Sequence, residues 1–307
     1  MRPLTIVAAL LVLALMPATA SAAYTTLERP EPAWLTSELK AEIAAAGADG
    51  VQVAEEYLNT ECPGFQQAGV QANACIVSPA GCTANFIYAG GGNRYLGTAA
   101  HCTDGVGDPV IIQVDTTTLV EVGTVARRTS DEEPGDDAAI IQIDPAVAEK
   151  WGVNPAVPFI GGPQGVYTEC GPTGVKSYGH GYAAAVGQGK PNVGVASVFY
   201  DDGYGWNGTA LPGDSGSGVL TEAGQALGNL THLIIFDPDY TPANVAGTRV
   251  TRIMSLFGVA LVNADGSTTG GSATSCGGST SDGGSGGGSG KPKPGNGNGN
   301  GGGKKPR

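Results

Sequence analysis

Ser215 sits in the run Leu211-Pro212-Gly213-Asp214-Ser215-Gly216-Ser217-Gly218-Val219, a glycine-flanked turn directly ahead of an apolar segment. A hydroxyl so placed suits attack on a carbonyl. Small neighbours let a substrate approach the backbone, and a turn of this kind allows the amides of Gly213 and Ser215 both to point where an acyl oxygen turns negative. Serine is a weak nucleophile at neutral pH and needs a base that titrates there, which histidine does unaided. His101, one of three histidines, lies in Thr98-Ala99-Ala100-His101-Cys102 at the end of an apolar approach. A buried carboxylate must then hold the imidazole in the useful tautomer and stabilise its charged form. Asp136 and Asp137 stand side by side ahead of the apolar residues 138–143.

The elements that must carry these residues are short. From Cys75 to Pro242, β-branched and apolar runs at 86–88, 95–99, 110–114, 120–126, 138–143, 194–199, 218–220 and 227–236 are punctuated by Gly, Pro, Asn and Asp. Such spacing predicts an all-β barrel protein with few internal helices. Val250, Ile253, Met254, Phe257 and Leu261 recur at helical spacing and predict one amphipathic carboxyl-terminal helix. Ahead of the strands, residues 23–72 form an extension: Thr36 or Ser37 caps a helix that carries Leu39 and Ile43 and stops at Gly47, and a second helical pattern runs through Val51, Ala54, Glu55 and Leu58. The extension reads either as a propeptide that assists folding or blocks a cleft, or as an arm packed on the domain.

In the order His, Asp, Ser, the segments TAAHC, DDAAI and GDSGSG resemble the chymotrypsin-like (trypsin-fold) serine endopeptidases, in particular the bacterial secreted branch with streptogrisins and alpha-lytic protease. The residues from Cys82 to Thr98 resemble that family's hairpin into the histidine, and Thr248-Arg249-Val250 resembles the run that opens its last helix. The likeness spans roughly residues 75 to 260.

It implies two six-stranded antiparallel β-barrels in residues 73–263, a triad of His101, Asp136 and Ser215, and an oxyanion hole from the Gly213 and Ser215 amides. Asp136 is preferred to Asp137 because Asp136-x-Ala138-x-Ile140 fits the family's Asp-x-Ala-x-Ile/Leu pattern. The resemblance also places Thr209 at the base of the specificity pocket and Thr231, His232 and Leu233 on the strand that pairs with substrate. Thr209 is not acidic, so selection of basic residues is not expected, and Leu233 narrows the pocket toward small apolar side chains. His232 is either a specificity or pH element beside the substrate or a solvent-facing strand residue, and His180 is a loop residue. Asp214 needs a cationic partner, for which Arg94, Arg127 and Arg128 are candidates.

Met1-Arg2-Pro3, the apolar stretch from Ile6 to Met16, and Ala20-Ser21-Ala22 read as a secretory signal over residues 1–22, so a secreted, extracellular protein is expected. No later stretch is apolar for long enough to span a membrane. Six cysteines in an exported chain point to disulfides, and no Cys-x-x-Cys or paired His spacing suggests a metal. The family resemblance implies a Cys82–Cys102 bridge. Cys62, Cys75, Cys170 and Cys276 stay unassigned, with Cys170 open to a bridge with the extension or the tail.

A formal net charge of -12 opposes binding to nucleic acid or anionic membrane. Asp131-Glu132-Glu133 reads as a solvated acidic loop rather than a calcium site. Residues 264–307 are rich in Gly, Ser and Asn and are expected to be disordered, with Lys304-Lys305-Pro306-Arg307 as the element through which cell-wall or surface association would run.

The function expected is a secreted serine endopeptidase, monomeric and without a cofactor, acting on proteins or peptides through an acyl-enzyme. The alternative is a non-catalytic binding or surface protein that keeps a protease scaffold.

Overall fold

The computed structural model describes residues 23–64, 66–130, 133–181, 191–236, 243–272 and 275–277. The expected signal segment, Asp131, Glu132 and the basic end at 304–307 lie outside these residues.

Two antiparallel sheets dominate. The amino-proximal sheet is built on β5 (Cys75–Ser78), β6 (Ala80–Thr83), β7 (Ile87–Gly90), β8 (Asn93–Thr98), β9 (Pro109–Gln113), β10 (Thr118–Arg128) and β11 (Ala139–Ile143), with order β6-β5-β9-β10-β11-β8-β7. The second is built on β13 (Thr173–Ser177), β14 (Asn192–Phe199), β15 (Gly203–Asn207), β16 (Gly218–Thr221), β17 (Ala226–Asn229), β18 (His232–Phe236) and β19 (Val245–Thr248), with order β18-β19-β15-β14-β13-β16-β17. This is the all-β, two-unit architecture expected, with its strands hydrogen-bonded as open sequences rather than closed rings. Adjuncts raise the sheets to eight and eleven strands. The run read as one strand over 227–236 is split into β17 and β18 at Leu230 and Thr231, where the chain bends past the serine turn.

Alternation explains the packing. Ile76, Ile112, Val122 and Ile141 fill the core of the first sheet, and Val175, Trp206, Val219 and Leu227 that of the second. A third cluster joins them with Phe86, Tyr88, Ile140 and Leu220, and takes in Val250, Ile253 and Phe257. Those last three lie on α4 (Val250–Phe257), which ends at Gly258 in the left-handed region, φ 61°. The predicted helix therefore closes earlier than its apolar spacing suggested. Leu261 belongs to β20 (Ala260–Val262), which pairs with β7 and with β21 (Thr268–Thr269).

The expected tail boundary at 264 thus falls inside a hairpin, and a Cys170–Cys276 disulfide ties a later point of the chain to the second sheet's surroundings. Cys82–Cys102 is formed, and Cys62 pairs with Cys75.

The extension is packed on the first sheet. α1 (Ser37–Ala46) starts at Thr36, whose Oγ1 accepts from the Leu39 amide at 3.3 Å, and stops at Gly47. β3 (Val51–Gln52) pairs with β10, so the second predicted helix is shorter than its pattern, running as α2 (Glu55–Glu61). Ile43 and Leu58 are fully buried against Ile111 and Leu119, each worth about 2 kcal/mol of apolar burial. The first residues of the extension travel further. β1 (Ala23–Thr26) pairs with β18 of the second sheet, and β2 (Arg29–Pro30) pairs with β6 of the first.

Candidate active site

His101 enters the site from β8 through Ala99 and a short 3-10 turn, Ala100–Cys102, anchored by the disulfide of the next residue. Its Nδ1 lies 2.6 Å from Asp137 Oδ2. The same carboxylate accepts from the Ala100 amide at 2.6 Å and the His101 amide at 3.2 Å through Oδ1, so side chain and backbone of the histidine are held together. With Nδ1–H donating to the carboxylate, Nε2 is the nitrogen presented to a reactant.

Asp137 is completely buried just ahead of β11. Its amide donates to Thr248 Oγ1 at 3.1 Å, and its carbonyl accepts from Asn229 Nδ2 at 2.9 Å. Burial opposes its charge, but the attraction and hydrogen bonds of His101, joined by the attraction of His232, outweigh that and hold the carboxyl below its usual range.

Asp136, expected to be the orienting carboxylate, does not contact His101. It is part-exposed, 3.7 Å from Arg252 and 3.3 Å from Ser130 Oγ. The pattern Asp-x-Ala-x-Ile fits both registers, since Asp137-x-Ala139-x-Ile141 satisfies it equally. The structure decides between them: Asp137 is buried beneath the histidine and Asp136 is part-exposed.

Ser215 lies in a turn closed by Asp214 N to Leu211 O and Ser217 N to Asp214 O, both 3.0 Å. Gly213 and Gly216 have φ of 100° and 88°, and a Cβ on Gly216 would stand 2.1 Å from Thr83 O. Only glycine fits there. The Ser215 carbonyl accepts from the Thr83 amide at 2.8 Å and lies 3.7 Å from Cys102 Sγ, which brings the nucleophile candidate to the residue beside His101.

Ser215 is fully buried because the chain's own amino-terminal segment covers it. Ser215 Oγ accepts from the Leu27 amide at 2.9 Å and donates to Thr231 O at 3.3 Å, while the Gly213 amide donates to Leu27 O at 2.5 Å. The next residue, Glu28, places a carboxylate oxygen 3.6 Å from His101 Nε2. Two successive residues of the link between β1 and β2 thus lie against Ser215 and His101, so both open onto one cleft.

The expected substrate strand is β18, and it does carry an extended partner: Thr26 lies opposite His232, Thr25 opposite Leu233 and Tyr24 opposite Ile234. His232 is buried rather than solvent-facing. Its Nδ1 is 2.9 Å from Thr231 Oγ1 and 3.7 Å from Asp137 Oδ2, with its ring edge-on to those of His101 and Tyr24. Thr209, expected at the pocket base, is exposed, and the adjacent Ala210 is the buried residue.

His180 is buried with Nε2 2.9 Å from Asn73 O, and burial pushes its pKa down to about 4. Asp214 accepts from the Gly181 amide at 2.9 Å and the Leu211 amide at 3.0 Å; burial raises its pKa to about 6 against those bonds and the charge of Arg29. None of the three expected arginines serves it. Arg127 bonds Phe257 O, Arg128 bonds Asp104 O and Ala100 O, and Arg94 lies on an exposed hairpin end. Arg29 was not foreseeable, because nothing local in the extension marks it as a neighbour of a residue 185 positions away, the difference between 214 and 29.

The sulfurs of Cys82 and Cys102 lie close to the His101 ring. They are joined to each other, so they are no thiolate pair for a metal.

No family model and no curated protein matches the chain. Among solved structures it is similar to a glutamic-acid-specific serine protease described as using a novel histidine triad in substrate binding (19% identity, TM-score 0.43, covering 62% of this chain and 98% of that one). It is also similar to Thermobifida fusca protease A (22% identity, TM-score 0.44, 64% of this chain and 98% of that one). A Nocardiopsis protease aligns at 17% identity and TM-score 0.44, over 64% of this chain and 99% of that one. Each of these three is described as a protease.

Proposed function

We propose that the chain is a secreted serine endopeptidase, with Ser215 as nucleophile, His101 as general base and acid, and Asp137 as the orienting carboxylate. The observation that carries this reading is the Leu27 carbonyl seated on the Gly213 amide beside Ser215, next to an imidazole backed by a buried carboxylate.

In the reaction, Ser215 Oγ adds to the carbonyl carbon of a peptide bond as its proton passes to His101 Nε2. The negative oxygen is held by the Gly213 and Ser215 amides, and Asp137 stabilises the imidazolium. The carbon–nitrogen bond breaks, the amine leaves with the proton from His101, and an ester to Ser215 remains. Water then gives its proton to His101 and adds to the ester, and the collapse that returns the proton to Ser215 frees the carboxylic acid. The sum is one peptide bond and one water consumed, one acid and one amine formed.

Treatment with a fluorophosphonate, followed by peptide mass mapping, tests the reading. The expected result is one adduct on Ser215, lost in His101→Ala. A folded protein that takes no adduct under any condition that opens the cleft supports the scaffold alternative instead.

A further inference from the structure

We propose that residues 23–30 occupy the cleft as a tethered internal substrate, and that the substrates of the site are extended peptides carrying leucine on the acyl side of the cut bond. The inference rests on the endopeptidase reading and names its substrate class and its restraint.

The register supports it atom by atom. β1 lies antiparallel on β18 from Tyr24 to Thr26, as a peptide adding a strand to a sheet edge does. The chain then delivers the Leu27 carbonyl to the Gly213 amide and the Leu27 amide to Ser215 Oγ. Leu27 is therefore the residue whose carbonyl faces the nucleophile. Its side chain is 2% exposed and belongs to the apolar cluster that includes Ala210, Leu230 and Val245. Among the described residues this cluster is largely apolar, so an acidic or basic side chain in place of leucine would be desolvated at a cost.

Beyond the bond, the leaving side is anchored as firmly as the acyl side. Arg29 is 2% exposed, with its guanidinium bonded to the carbonyl of Glu61 and 3.8 Å from the Glu61 carboxylate at the end of α2. Arg29 and Pro30 pair with Gly81 and Ala80, and the Cys62–Cys75 disulfide fixes the end of α2 to β5. A cut between Leu27 and Glu28 would leave both new ends bound at high effective concentration, favouring rejoining over release. Glu28 completes the restraint, since its carboxylate stands at His101 Nε2 where a leaving amine must collect a proton.

The test uses the full chain and the variants Leu27→Asp and Leu27→Gly, each checked for folding by circular dichroism. Two readouts follow: the rate of fluorophosphonate labelling of Ser215, and kcat/KM on peptides Tyr-Thr-Thr-Xaa-p-nitroanilide with Leu, Ala, Phe, Glu or Arg at Xaa. The expected result is labelling faster in both variants by about tenfold or more, a difference of about 1.4 kcal/mol in cleft occupancy, and a profile led by leucine with Glu and Arg lowest. An unsubstituted chain that labels as fast as the variants overturns the internal-substrate proposal while leaving the endopeptidase standing. A profile led by Glu or Arg overturns the substrate class. No labelling of any folded form removes the endopeptidase reading and this inference with it.

Discussion

His101 Nδ1 and Asp137 Oδ2 are 2.6 Å apart, although the adjacent Asp136 satisfies the same local pattern and faces Arg252 instead. One residue of register separates a carboxylate buried beneath an imidazole from one that meets solvent. The consequences are measurable.

Asp137→Asn is expected to lower the rate of Ser215 acylation by about 10⁴-fold, because the amide favours the wrong imidazole tautomer. Asp136→Asn is expected to leave it within about twofold, as an exposed ion pair contributes little. Both are read as labelling rates in the Leu27→Gly background, where the cleft is open. Equal losses in the two variants would mean that the 2.6 Å contact is not the functional one.

The pH dependence of stability separates two buried groups with opposite signs. His180 is held neutral with a pKa of about 4. The unfolded chain therefore takes up a proton that the fold refuses as pH falls from the ordinary histidine value near 6.5 to about 4, and stability drops by up to about 1.4 kcal/mol per pH unit in that window. Asp214 has a pKa raised to about 6, so between about 6 and 4 the fold holds a proton the unfolded chain releases, and its contribution rises as pH falls. The two nearly offset each other. His180→Gln is expected to remove the first contribution and leave the second, so that the urea-unfolding free energy of the variant rises relative to that of the unsubstituted chain on going from pH 6.5 to 5 and 4. Parallel pH profiles would contradict this assignment.

Gly216→Ala is expected to cost about 3 kcal/mol or more, because the new Cβ meets Thr83 O at 2.1 Å and Thr98 Oγ1 at 2.3 Å in addition to its positive φ. Gly107→Ala is the control: its φ is 95°, but nothing lies within 4 Å, so about 1 kcal/mol of backbone strain is the whole effect. Urea midpoints of the two variants decide it, and a similar shift for both would show that close packing of the serine turn is unimportant.

Replacing Cys170 and Cys276 together by serine removes a link across a sequence separation of 106. A loss of about 3 to 5 kcal/mol is expected from the freed chain entropy, with fluorophosphonate labelling of folded Leu27→Gly protein unchanged. Slower labelling would place the bridge in the construction of the site.

Local chemistry made much of this legible before any coordinates. A glycine-flanked serine, a histidine beside a cysteine and a carboxylate at a strand mouth are the residue types that the proposed acyl transfer needs. Short β-branched runs between turn residues likewise specified β7 to β11, β14 and β16 to β18 but not β5, β6, β13, β15 or β19, and the Thr36 cap and Gly47 stop specified α1. These are properties of side chains and of neighbours within a few residues, so the sequence by itself determined them. The choice of Asp137, the burial of His232 beside it, the charge of Arg29 acting on Asp214 and the seat of Leu27 on Gly213 join residues far apart in the chain. They depend on how β11 pairs with β8, which leads to the histidine, and on where the extension is led by β2 and α2. Such long-range placements are decided only when the sheets pack, because no local preference encodes the distance between residue 27 and residue 215.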